Sequence, residues 1–144
     1  MEVTIGKTVE LIEKAQAIRY QVFTIEQRIP RELDLDGLDS TSVHALVVDS
    51  GKPVATARLV INVDSSSVMA RVAVLEAYRG QGVASIVVKA LMQHAKQQSV
   101  SSIEIHAHSY LRSYYERLGF EFIQEVEVVG DHQLIEMRYQ LVST

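Results

Sequence analysis

The strongest chemical signal in the chain is Val72-Ala73-Val74-Leu75-Glu76-Ala77-Tyr78-Arg79-Gly80-Gln81-Gly82-Val83-Ala84. It passes from a β-rich run through a glycine-bearing turn into a helical pattern. Glycines let a backbone approach a ligand closely, and the first amides of the helix lack internal partners at the positive end of its dipole. Such a junction binds phosphate, although Gly80 and Gly82 would also serve a tight turn alone. A nucleotide loop of the Walker type would end in Gly-Lys-Ser/Thr, and a dinucleotide loop would add a third glycine and a ribose-binding acid; neither is present. A second functional face lies on the run Ile103–His108, where Ile103, Ile105 and Ala107 alternate with Glu104, His106 and His108. Histidine is the side-chain type most suited to proton transfer near neutral pH. Asp34, Asp36 and Asp39 invite a calcium reading, but they lack the spacing and closing Glu of an EF-hand, so no metal is expected.

The elements that must position these residues follow from changes of period. Residues 2–5 read as a short strand, and Thr8 caps a helix whose apolar positions Val9, Ile12, Ala15, Ile18, Val22 and Phe23 recur at helical steps. That helix ends before Pro30. Residues 31–42, rich in acids and turn formers, read as a surface loop with one helical turn. Two β-rich runs, 43–48 and 54–63, flank Asp49-Ser50-Gly51-Lys52-Pro53 and form a hairpin, with His44 near the core. A third strand spans 68–75. The stripe Ile86, Val87, Ala90, Leu91, His94, Ala95 marks a helix over 83–98 that Ser99 breaks. After the strand at 103–107, a short helix at 110–118 stops at Gly119. Two alternating runs around Gly130-Asp131 close the chain as a hairpin. The order β-α-loop-β-β-β-α-β-α-β-β gives an α/β sandwich around a mixed sheet.

Composition narrows the function classes. The 144 residues form one domain in this reading, with 47% apolar residues and 14 Lys+Arg against 18 Asp+Glu, a net charge of −4. No Lys/Arg run marks a nucleic-acid footprint. The absence of Cys excludes disulfides, thiolate metal sites and a cysteine nucleophile. No leader-like start and no stretch of about 18 apolar residues is found, so membrane insertion is not expected and the reading is cytoplasmic. The open edge of the closing hairpin is where a second copy would pair to give a homodimer.

Arg79-x-x-Gly82-x-Ala84 resembles the Arg/Gln-x-x-Gly-x-Gly/Ala signature of the GCN5-related N-acetyltransferases, the GNAT superfamily. Tyr114-Tyr115-Glu116-Arg117-Leu118-Gly119-Phe120 is similar to that family's Phe-Tyr-x-x-x-Gly-Phe segment. Arg19-x-x-Val22-Phe23-x-x-Glu26-Gln27-x-x-Pro30, followed by Asp34-x-Asp36-x-x-Asp39 and His44, resembles a small bacterial subgroup of it. Two departures stand out: His106-Ala107-His108 where the subgroup has His-Ala-Gln, and Val129-Gly130-Asp131-His132 in the region of its Gly-Ile-Pro-His turn, with His132 out of register with the subgroup's histidine.

The resemblance implies a mixed, mostly antiparallel sheet of six to seven strands, flanked by helices and splayed at the cofactor site. It implies an acetyl-CoA-dependent transfer to a primary amine, with a noncatalytic acyl-CoA-binding module as the alternative. Arg79, Gly80, Gln81, Gly82, Val83 and Ala84 would cradle the pyrophosphate, Val72 and Val74 would flank the pantetheine arm, and His108 would join the cofactor site. Tyr115 is the expected proton donor to the departing thiolate. Glu26, in the Glu-Gln-x-x-Pro stretch, is the expected base, and Arg19 and His106 are placed on the acceptor. An ordinary helix-surface ion pair would explain Arg19 as simply.

Overall fold

A computed structural model describes residues 1–141. Seven strands form one sheet in the order β1-β2-β3-β4-β5-β7-β6: β1 (Glu2–Gly6), β2 (Val43–Asp49), β3 (Lys52–Ile61), β4 (Ser66–Val74), β5 (Ser102–His108), β6 (Glu121–Val129) and β7 (His132–Gln140). Every neighbouring pair is antiparallel except β4 and β5. Among the described residues the α-helices are α1 (Val9–Arg19), α2 (Arg31–Asp34), α3 (Val83–Gln97) and α4 (Arg112–Arg117).

Alternation along β2 assigns the two faces. Ala45 and Val47 join the larger core beneath α3, with Val87, Val88, Leu91, Ile103, Ile105 and Met137. Leu46, one residue out of phase, packs with Leu11, Ile18 and Val22 beneath α1. Thr8 caps α1 as expected, its Oγ1 accepting from the Leu11 amide at 3.2 Å. The expected single helix to Pro30 instead becomes a π-helix over Tyr20–Glu26, where the Gln27 amide donates to Val22 O, five residues back. Arg28, at φ 59°, then turns the chain. π-helical turns concentrate at functional sites, and this one carries Phe23 and Gln27 to the cavity described below.

Two irregularities open the sheet. Between β3 and β4 the pairing steps from Thr56↔Ala73 to Arg58↔Ala70, so β4 holds an extra residue, and Arg71 takes up the bulge at φ 58°. Between β4 and β5, parallel pairing is confined to Ser66–Val68 against Ser102–Glu104. Beyond it β4 turns away while β5 stays paired with β7 along its length. A similar bulge between Val47 and Val48 explains why β3 begins at Lys52 with Pro53 inside it.

Gly119 ends α4 at φ 105°, and a Cβ there would lie 2.8 Å from the Tyr139 ring. Gly119→Ala combines a left-handed strain with that collision, and its expected cost is about 1–3 kcal/mol, measurable by urea unfolding.

Candidate active site

The site is assembled where β4 and β5 part. Gly80 and Gly82 both have left-handed φ values, 76° and 77°, and space is open where their Cβ atoms would stand. Gly82 is the N-cap of the 15-residue α3 and offers no side-chain cap, so the helix's first amides have no capping side chain. These features fit a phosphate group, which needs donors and close backbone approach rather than bulk.

A cavity of about 780 Å³ continues from this turn into the split. From the α3 side, Val83, Ser85, Val88, Leu111, Tyr114 and Tyr115 line it. From the opposite side come Phe23, Gln27, Ile29, Leu33 and Asp34. Val72, Val74 and Arg71 form the β4 wall, and His106 and His108 the β5 wall. The cavity is therefore lined from both faces of the sheet.

Tyr115 is buried, edge-on to Tyr114 and Phe120 at ring separations of 5.0 and 5.5 Å. Burial, with Tyr114 adding to it, pushes its phenol up to about 12, so it keeps its proton at neutral pH. Tyr114 packs against the core, lines the cavity and shares a hydrogen bond with Ser85 Oγ on the first turn of α3. His108 stacks on Tyr110 at 5.3 Å and meets His132 edge-on at 4.8 Å. Its Nδ1 is buried without a hydrogen-bond partner among the described residues. Burial first and then His132 hold its pKa below the ordinary histidine value, so the ring is neutral. His132, out of step with the subgroup's turn in sequence, thus reaches the same strand end. His106 Nε2 lies 3.1 Å from Glu104 and directly across from Glu136 on β7.

Other expected residues are differently employed. Arg79 lines the cavity, but its guanidinium donates to Val74 O at 2.9 Å and pairs with Glu26 at 2.8 Å. Glu26 is thereby held by Arg79, away from the cavity lining, which corrects its assignment as base. Gln81 donates back to Ala77 O and does not line the cavity.

Arg19 requires the largest correction. It is neither at the acceptor nor on the helix surface: it is 1% exposed, with Nε on Asp34 at 2.9 Å and both terminal nitrogens on Asp39 at 2.9 Å. Arg58 reaches Asp36 at 2.7 Å and Asp39 at 3.1 Å, and Arg71 reaches Asp34 at 3.0 Å and Asp36 at 3.3 Å. Three guanidiniums thus fasten the acids of the 31–42 segment to α1, β3 and the β4 bulge. Asp34 and Asp39 are buried rather than solvated. His44 is buried as expected, with Nε2 at 2.9 Å from Asp39 O. The signal for this network was the Arg19…Asp34-x-Asp36-x-x-Asp39 pattern, whose charges balance only if each acid meets an arginine.

The open mixed sheet, split beside a glycine turn, has the fold of an acyl-CoA N-acyltransferase of known structure. Residues 9–120 match the acetyltransferase (GNAT) family, and the chain belongs to it. It is 32% identical over 127 residues to YjcF of Bacillus subtilis strain 168, described as an uncharacterized N-acetyltransferase, covering 88% of this chain and 90% of that one. The structure is similar to an acyl-CoA N-acyltransferase from Pseudomonas aeruginosa, with TM-score 0.85, 27% identity, and 96% and 98% of the chains covered. It is likewise similar to Escherichia coli ElaA, with TM-score 0.85, 26% identity, and 96% and 99% covered.

Proposed function

We propose that this protein is an acetyl-CoA-dependent N-acetyltransferase that moves the acetyl group to a primary amine by direct attack in a ternary complex. The observation that carries this reading is the cavity through the β4–β5 split. It joins the uncapped N-terminus of α3 to a buried phenol on one face and opens to a second reactant on the other. The Pseudomonas relative, an acyl-CoA N-acyltransferase, supports the donor class.

When bound, acetyl-CoA supplies an activated acyl group. Gly80, Gly82 and the first amides of α3 hold its pyrophosphate, and Val72 and Val74 flank the pantetheine arm on the β4 wall. Past Val68, the side of β4 that faces β5 has no strand partner, so backbone amides there are free to stabilise the developing oxyanion. His108 takes the proton that the ammonium must lose, since a neutral amine is the nucleophile. The C–N bond forms and the C–S bond breaks; Tyr115 Oη gives its proton to the departing sulfur, and the proton released by the acylated nitrogen returns to the phenolate, so the phenol is restored. With no Cys in the chain, a cysteine-linked acyl-enzyme is excluded.

Tyr115→Phe tests the assignment. Turnover measured by thiol release is expected to fall about 100-fold or more, while the Kd for CoA stays within a few-fold. Equal loss of binding and turnover would make Tyr115 a packing residue. Unchanged turnover would remove it from the chemistry.

A further inference from the structure

We propose that the acceptor is a small amine with an apolar body, an alkylamine or arylalkylamine, whose hydrocarbon part lies on Phe23, Ile29 and Leu33. This rests on the acyltransferase reading above. The two sides of the cavity differ in what they leave unused. The α3 side and the β4 wall serve the donor. The acceptor must therefore enter along the side built by the π-helix and α2, where the large side chains are Phe23, Ile29 and Leu33.

The charged groups of the cavity point the same way. Asp34 is shared between Arg19 and Arg71, Arg71 also holds Asp36, Arg79 holds Glu26, and His106 holds Glu104. No carboxylate lining the cavity is left uncommitted among the described residues. A polyamine would need such a group for its second ammonium, and capturing Asp34 would strip a buried guanidinium of its partner. An amino sugar would need many hydrogen-bond partners, and beside the committed Asp34 this side adds one polar side chain among the described residues, Gln27.

Leu33 completes the argument. It is 65% exposed at the cavity, on a four-residue helix that is fastened by Asp34 to Arg19 and Arg71. Its side chain is thus scarcely used in folding, while the helix that carries it is tied to α1 and to the β4 bulge. With the partly buried Phe23 and Ile29, Leu33 makes one apolar wall of the cavity, and such a contiguous wall, rather than a single exposed leucine, is what a ligand with an apolar body covers.

The experiment measures kcat/KM by thiol release from acetyl-CoA with hexylamine, phenethylamine, spermidine, kanamycin and a short peptide with a free N-terminus. Calorimetric titration with acetyl-CoA runs in parallel. The expected result is at least a tenfold preference for hexylamine or phenethylamine. Leu33→Ser should lower kcat/KM for these two about tenfold, with the melting temperature unchanged. Preference for spermidine, kanamycin or the peptide overturns the proposal, as does acetyl-CoA binding with no amine acetylated or no effect of Leu33→Ser. Failure to bind acetyl-CoA at all would instead remove the function on which the proposal rests.

Discussion

Arg19→Ala is expected to cost about 3–5 kcal/mol of stability, the range for breaking a buried ion pair from one side. The change leaves Asp34 and Asp39 buried with half of their partners gone, and 1% exposure means that water cannot replace the guanidinium without opening the fold. Since domains of this size are stable by about 5–15 kcal/mol, a large fraction of the total is at stake. Arg19→Lys should recover part of the loss, because one ammonium cannot reproduce the two-sided hydrogen bonding to Asp34 and Asp39. Urea unfolding provides the check, and a loss below 1 kcal/mol for Arg19→Ala would show that the network contributes little. The same network sets an acid limit. Asp36 is held below the usual carboxylate range by hydrogen bonding to Arg58; at Asp39 burial opposes ionisation, but Arg19 and Gln16 overcome it. Depressed carboxylates contribute stability above their unfolded value, about 3.9, and the contribution is lost as pH falls through the lower folded values. Stability should therefore decline below about pH 4.

His108→Gln should reduce kcat about 100-fold or more at neutral pH, the usual weight of a positioned base. The groups around the imidazole are His132 at the start of β7, Tyr110, and His106 with Glu104 and Glu136 further along the sheet. Because burial and then His132 lower its pKa, the ring stays neutral to a pH below 6.5, its ordinary value. The wild-type rate should fall on the acid side as pH drops through that lowered value. In His108→Gln the remaining rate should lose this limb, while affinity for acetyl-CoA is kept. A variant with the same acid limb and near-normal kcat would assign the proton to another group or to water.

The sequence was most informative where one local pattern decides. Alternation of Ile103, Ile105 and Ala107 with Glu104, His106 and His108 marked β5, although the cavity at its end is lined by Ile105 and Ala107 as well as by His106 and His108, and Gly119 marked the end of α4. The glycine turn was legible because no other residue accepts φ near 77° at so little cost. Arg71 shows the opposite case. It adopts φ 58° without a glycine to announce it, held by Asp34 and Asp36 from more than 30 residues away. The π-helix after Arg19 has an apolar period that a plain α-helix would share, so composition could not separate them. Glu26 was misassigned for a similar reason: its place in the motif was visible, but its pairing with Arg79 across 53 positions was not.

The central claim is that the turn at Gly80–Ala84 receives the pyrophosphate of acetyl-CoA and thereby directs the thioester into the β4–β5 cavity. Calorimetric titration of acetyl-CoA into the wild type and Gly82→Glu tests it most directly. The glutamate would project into the open space at the α3 N-terminus, where its charge repels phosphate and its backbone resists the required φ of 77°. Micromolar binding by the wild type, weakened at least 100-fold in a variant that remains folded by circular dichroism, is the predicted result. Equal binding by both proteins, or none by the folded wild type, would contradict the account.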